Sequence, residues 1–249
     1  MRDTIQTKEY FDKGVAFKQQ AIDEDKDIIN TLPQPEGKAS AVYSLCEYSK
    51  MLCIQRYSRG DAIADMRSSV TQMAQMYWLR HQTMASINLE PRAREMWDNL
   101  TLSQLYDNLT FLALLVGLRY SAVDKLKALN WIGHAGQDGL LDRVAIQLGD
   151  DSRRVAKESK FDKVYKGLVD TIDADKDDRP KLLKTYVENW YKRMKIISWH
   201  GNHTGEAYVG YWCFEAALVA MLWKIDDSSL SSHKNYPMDL VRHYWDTEL

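Results

Sequence analysis

Apolar residues recur at intervals of three and four along most of the chain, a spacing that predicts helices rather than strands. From Thr7 to about Asn30, Phe11, Val15, Ala16, Ile22 and Ile29 form one stripe, opposite the charged run Asp23-Glu24-Asp25-Lys26-Asp27. Leu32-Pro33-Gln34-Pro35-Glu36-Gly37 concentrates breakers and predicts a loop. A second helix is expected from about Lys38 to Tyr57, with Val42, Leu45, Cys46, Met51 or Leu52, and Cys53 turned inward. At Arg56-Tyr57-Ser58-Arg59-Gly60-Asp61, Gly60 suits a left-handed helix end and Asp61 suits the next cap. The third helix reaches about Ser86 on a face of Val70, Met73, Ala74, Tyr77 and Trp78. Thr101 with Gln104 three residues later is a capping-box pattern that opens a fourth helix through Leu105, Leu109, Leu112, Leu115 and Val116.

The second half continues in the same period. Shorter helices are expected between Arg119 and Leu148, broken at Gly133, Gly136 and Gly139. Ser152 to about Ile172 reads as helical, with Val155, Phe161, Val164, Tyr165 and Leu168 partly in phase. Asp173 to Asp178 reads as an acidic linker. Pro180 then opens the cleanest stripe of the chain, Leu182, Leu183, Tyr186, Val187, Trp190, Tyr191 and Met194. After the loop Trp199 to Gly205, the segment from Glu206 to about Lys224 is apolar on every side, as a helix enclosed by other helices is. No window alternates well enough to predict a sheet. The fold class expected is all-α: a bundle-like assembly of two helical modules sharing a core, residues 1–130 and 131–249, joined near 119–134. The buried central helix lies near 206–224, and Ala207 to Trp223 is expected to be the most buried helix of the chain.

Composition narrows the function. Glycine (12) and proline (5) are scarce in 249 residues, which suits helices. The net charge of −2, with no basic stripe, argues against direct nucleic-acid binding. Cys46, Cys53 and Cys213 have neither zinc-site spacing nor an even count, so buried reduced thiols in a cytoplasm are expected. Met1 to Gln6 lacks a signal-peptide core. Ala207 to Trp223 is shorter than the roughly 20 residues of a membrane span and carries Glu215 at its middle, so no membrane insertion is expected.

Candidate chemistry is sparse. His200, His203 and Glu206 are spaced by threes, but in a glycine loop rather than on one helical face, and a polar loop feeding a helix N-terminus accounts for them. A buried carboxylate at Glu215 is costly unless paired or protonated, so an internal pair with an arginine is expected, Arg56 and Arg119 being the candidates. Glycine-rich phosphate loops and nucleophile elbows are missing from the sequence. No catalytic residue, metal or cofactor is therefore assigned, and a binding protein is the expected class. Asp150, Asp151, Asp173, Asp175, Asp177 and Asp178 are the candidate partner-binding residues, because carboxylates on loops can steer a basic partner.

The run Tyr208-Val209-Gly210-Tyr211-Trp212-Cys213-Phe214-Glu215, continued by Ile225-Asp226-Asp227-Ser228-Ser229-Leu230 and by Tyr236-Pro237-Met238-Asp239-Leu240, resembles the C-terminal module of PoNi-type immunity proteins. Arg56-Tyr57-Ser58-Arg59-Gly60 resembles the helix junction of that family's N-terminal module. The resemblance implies an all-helical cytoplasmic protein that binds and neutralises a cognate DNase toxin in competition between bacteria, with delivery by type VI secretion or a similar system. It carries Arg56, Tyr57, Gly60, Tyr208, Gly210, Tyr211, Trp212, Glu215, Tyr236 and Pro237 over as scaffold residues. A helical scaffold or chaperone for another protein is the alternative, and a metal-dependent enzyme built on the histidine loop is a weaker one.

Overall fold

In the computed structural model, which describes residues 1–246, eleven α-helices and four short 3₁₀ turns account for the regular structure, with no strand among the described residues. The expectation of an all-α fold holds. Two compact units divide the chain: Met1–Asn99 with Asn202–Gly210, and Leu100–Gly201 with the residues from Tyr211 onward.

In the first unit, α1 (Lys8–Ile28) starts where the Thr7 hydroxyl accepts the Tyr10 N–H, and α2 (Pro35–Arg59) starts on a proline whose missing N–H costs nothing there. α2 packs on both α1 and α3 (Arg67–Ser86), so it buries residues along its whole length, Val42, Leu45, Cys46, Leu52 and Cys53 among them. On α3 the buried face is Val70, Met73, Met76, Tyr77 and Arg80. Trp78, expected on it, is 48% exposed. A short helix that the stripes do not predict, α4 (Pro91–Asp98), has no buried residue and therefore no apolar period to read.

In the second unit, α5 (Leu102–Gly117) begins in the predicted capping box, Thr101 and Gln104 bonding reciprocally. It is followed by α6 (Ala122–Ile132), α7 (Gly139–Gln147), α8 (Asp162–Asp173), α9 (Arg179–Arg193), α10 (Phe214–Trp223) and α11 (Met238–Asp246). α10 contacts α5, α7, α8, α9 and α11, and every residue from Phe214 to Met221 is buried. It is the central helix, as expected, but it starts at Phe214 rather than at Glu206. Ser152 to Phe161, also expected to be helical, is irregular up to the start of α8. No helix among the described residues is long and apolar enough to cross a membrane.

Both departures have one main physical cause, namely groups distant in the chain, mostly side chains, that claim backbone groups a helix would need. In the first unit, the Tyr208 carbonyl accepts the Tyr10 hydroxyl at 2.9 Å and the Gln55 amide at 3.3 Å, while the Val209 carbonyl accepts the Ser58 hydroxyl at 2.6 Å. Gly210 has φ +111°, a conformation that interrupts any helix. In the second unit, the Tyr211 carbonyl accepts the Asn235 side-chain N–H at 2.8 Å, and the Cys213 N–H donates to the Asn235 carbonyl at 2.7 Å. Between Ser152 and Phe161, the Ala156 and Lys160 N–H groups donate to the carboxylates of Asp142 and Asp138, at 2.9 and 2.8 Å.

Candidate functional site

Arg56, Tyr57 and Gly60 close the C-terminus of α2. Gly60 takes φ +95°, and its N–H satisfies the Arg56 and Tyr57 carbonyls. The guanidinium of Arg56 donates to Asp61 at 2.7 Å, to the Ser69 hydroxyl at 2.5 Å and to the Asp65 carbonyl at 3.1 Å. Arg59 adds two bonds to Asp61 and one to Asp12 of α1. Burial raises the proton affinity of Asp61, but the Arg59 and Arg56 guanidiniums together outweigh it and hold the carboxyl below its ordinary pKa. The Arg2 guanidinium lies over the Tyr57 ring and donates to the Tyr57 and Asp61 carbonyls. This motif is a knot that ties the chain's first residues, α1 and α3 to the end of α2.

The C-terminal motif is likewise internal. Tyr208 donates its hydroxyl to Asp3 at 2.6 Å, in the first unit. In the second, Tyr211 and Trp212 are buried, and the Trp212 carbonyl accepts the Tyr106 hydroxyl at 3.5 Å. Tyr236 donates to Asp227 at 2.6 Å, joining the two halves of the run that contains Asp226-Asp227 and Tyr236-Pro237. Burial raises the pKa of Asp227 against the opposing effect of that hydroxyl. The Pro237 carbonyl accepts the Leu240 and Val241 N–H groups at the start of α11.

Glu215 is 1% exposed, in the first turn of α10. The arginine expected beside it is elsewhere. Arg56 is spent on Asp61, Ser69 and Asp65, and the Arg119 guanidinium donates to the Tyr244 carbonyl and lies over the Tyr244 ring. Instead, Glu215 Oε1 accepts the Trp190 indole N–H at 2.6 Å and faces the Tyr186 hydroxyl at 3.5 Å. Burial without a cation pushes its pKa up to about 7, against the hydrogen bonds that favour the anion. Trp190 and Tyr186 lie on the stripe of α9, so an indole and a phenol replace the guanidinium at this carboxyl.

The candidate partner-binding carboxylates fall in two places, after α7 and on the connection between α8 and α9. Asp150 and Asp151 follow its C-terminus. Asp173, the last residue of α8, is held by the Arg143 guanidinium of α7 through two bonds at 3.0 and 2.8 Å. Asp151, Asp173, Asp175, Asp177 and Asp178 are exposed, and Asp150 is half-buried beside Arg153 and Ser152. The run Asp173 to Asp178 is a tight connection rather than a loose linker. The Arg179 guanidinium donates back to the Ile172 and Ala174 carbonyls, and Asp178 immediately precedes α9 without a side-chain cap bond. His200 stacks on the Tyr191 ring at 4.2 Å, and the His203 carbonyl accepts the Gln6 side chain. Among the described residues, no three His, Cys, Asp or Glu side chains gather as metal ligands do.

Sequence reasoning passed over the residues that hold this acidic region in shape. Asp138 and Asp142 are both fully buried. One oxygen of Asp138 caps α7 through the Leu140 and Leu141 N–H groups, and the other takes the Ser159 hydroxyl and the Lys160 N–H. Asp142 takes the Arg153 guanidinium at 2.8 Å and the N–H groups of Gly136 and Ala156. The spacing Asp138-x-x-x-Asp142 across Gly139 was the available signal, a cap followed by a second inward carboxylate one turn later. Asn235, which bridges Tyr211 and Cys213, had no such signal.

Such a surface offers exposed anions on a braced frame, and Glu215 is sealed from any external substrate. The crystal structure of protein PA2201 from Pseudomonas aeruginosa is similar to the chain at 19% identity and a TM-score of 0.78, with 100% of this chain and 92% of that chain covered. At that identity the likeness concerns the fold. No curated protein matches the chain. Residues 136–240, which include α7 to α10, the buried carboxylates and the start of α11, match the family model for PoNe immunity proteins (PoNi), C-terminal. Through this region the chain is similar to the C-terminal part of the PoNi family of immunity proteins.

Proposed function

We propose that the protein binds and neutralises a cognate nuclease toxin of the PoNe type in the bacterial cytoplasm, acting by contact rather than by catalysis. The observation that carries this reading is the family match over residues 136–240. The exposed carboxylates after α7 and between α8 and α9 support it. A DNase must attract phosphate, so its active-site groove is expected to be basic. Carboxylates facing that groove raise the encounter rate and disfavour wrong partners. Asp150, Asp151, Asp173, Asp175, Asp177 and Asp178 are the residues proposed to face the toxin, covering its active site. Colicin DNase–immunity protein pairs are among the tightest complexes known, and a similarly tight complex is expected here.

Co-expression with the product of the neighbouring toxin gene tests the reading. Cells carrying both proteins should keep intact DNA and grow, and the purified pair should form a stable complex. Failure to bind, together with failure to protect, would remove the immunity assignment. The interbacterial setting, with delivery by type VI secretion or a similar route, is part of the same proposal. Killing of a recipient that lacks this gene, by a donor that carries the toxin gene, tests that part.

A further inference from the structure

Glu215 is an ionisable group at the centre of the second unit that nothing above uses. It sits where α10 meets α9, and five other polar side chains surround it. Trp190 and Tyr186 reach Oε1 from α9, and the Cys213 thiol donates toward the carboxyl from the residue before α10. Tyr165 of α8 and Tyr106 of α5 lie close enough for their hydroxyls to feel its charge. All five are fully or almost fully buried. Glu215 Oε2 and the Tyr165 hydroxyl have no hydrogen-bond partner.

The charged groups on the packed elements do not neutralise this carboxyl. Arg193 on α9 acts on Tyr186 and donates to the Lys163 carbonyl. At α7, Asp138 and Asp142 are engaged by Ser159, Lys160, Arg153, Gly136 and Ala156. Asp107 of α5 adds negative charge near Tyr106, and α11 buries only Leu240 and Val241. Among the described residues no cation forms an ion pair with Glu215. An anion so placed is opposed by desolvation, with only neutral donors on one of its two oxygens. A neutral acid keeps the bond from Trp190 and avoids most of that cost.

We propose that Glu215 is held as the neutral acid in the folded protein and works as a proton-dependent latch between α10 and α9, one that weakens when the proton leaves. The proton resides on Oε2, and its loss places a charge among Tyr165, Tyr106 and Cys213 with no new partner. Ionisation in the unfolded chain occurs at the ordinary value of 4.5, and in the folded protein at about 7. The contribution is therefore complete at pH values below 4.5 and is lost as pH rises through about 7. A proton-sensitive junction here alters the rigidity of the unit that carries the exposed carboxylates.

The test uses the full chain and Glu215→Gln, which keeps the shape and an acceptor but cannot ionise. Urea unfolding is measured from about pH 5 to about pH 9. The ratio of the wild-type to variant unfolding constants should rise on the order of 100-fold across that range. A ratio that stays flat overturns the proposal. If the variant fails to fold, carbon-13 NMR of the wild-type glutamate carboxyls decides. One carboxyl titrating near neutrality, and missing its signal shift in the acid range, supports the latch. All carboxyls titrating at ordinary values refutes it.

Discussion

Replacing Asp142 by alanine should be among the most damaging single changes in the second unit, although the position lies outside the family motif residues. Asp142 is 0% exposed and the side chain of its partner Arg153 is 4% exposed. Removing the carboxylate leaves the buried guanidinium with only the Gly133 carbonyl at 2.9 Å and the half-buried Asp150 at 3.7 Å, and losing the main partner of such a buried pair costs about 3–5 kcal/mol. It also orphans the Gly136 and Ala156 N–H groups, each worth roughly 1 kcal/mol more, although the three losses share one carboxylate and do not simply add. About 4 kcal/mol is the expected total. For a chain of this size, 1 kcal/mol moves Tm by about 2–4 °C, so the transition of the second unit should fall by roughly 8–16 °C. Scanning calorimetry or thermal circular dichroism reads this directly.

Two controls separate the mechanism from a general surface effect. Asp173→Ala removes the partner of Arg143 at a site where the carboxylate is 53% exposed, and it should cost less than about 1 kcal/mol. Asp142→Leu combined with Arg153→Met leaves no unpaired charge and should recover about half of the single-variant loss. If Asp142→Ala costs less than about 1 kcal/mol, the strap from Ser152 to Phe161 is held by something other than this pair and the reasoning fails.

The other predictions are smaller in scale. Changing Asp175, Asp177 and Asp178 together to serine should slow association with the toxin most at low salt and leave Tm within about 2 °C; unchanged stopped-flow kinetics would take this patch out of the interface. Tyr208→Phe removes the donor to Asp3 at 2.6 Å and should cost about 1–3 kcal/mol in urea unfolding of the first unit. Gly60→Ala should cost at least about 1 kcal/mol, because the residue sits at φ +95° and a Cβ there would lie 2.8 Å from the Met1 backbone; a neutral result would mean that the first residues yield freely. Asn235→Ala should cost about 1–3 kcal/mol through loss of its buried 2.8 Å bond to the Tyr211 carbonyl.

What the sequence made legible follows from where its information is local. Helix α5 announces itself through Thr101 and Gln104, and α9 through Pro180 and an unbroken stripe, because caps and periods are properties of neighbouring residues. Tyr208 to Cys213 and Ser152 to Phe161 were misread because the groups that hold them extended are far away in the chain. Tyr10 and Ser58 act on the first segment from about 150 to 200 residues distant. Apolar composition alone makes Ala207 to Cys213 look helical. Glu215 is a related case. Its burial was visible as a lone carboxylate in an apolar run, but the kind of partner was not, because a Trp190 indole on the neighbouring stripe looks like ordinary core.

The same distinction explains why the family motif is recognisable while the proposed interface is not. Each motif residue has an internal obligation: Arg56 to Asp61 and Ser69, Tyr208 to Asp3, Tyr236 to Asp227, Gly60 and Gly210 to positive φ. Substituting any of these takes a donor from a buried or half-buried acceptor or strains the backbone, so their order and spacing form a constrained pattern. Asp151, Asp175 and Asp177 are exposed, with no side-chain bond required to keep the fold, so their spacing follows no internal rule. A partner can read such carboxylates only if the frame presents them in a reproducible place. The buried pair Asp142–Arg153 and the double role of Asp138 supply that frame around α7, and Arg143 extends it to the end of α8. On the proposed function, this division of labour lets surface charges be set by the toxin while the residues beneath them stay constrained by packing.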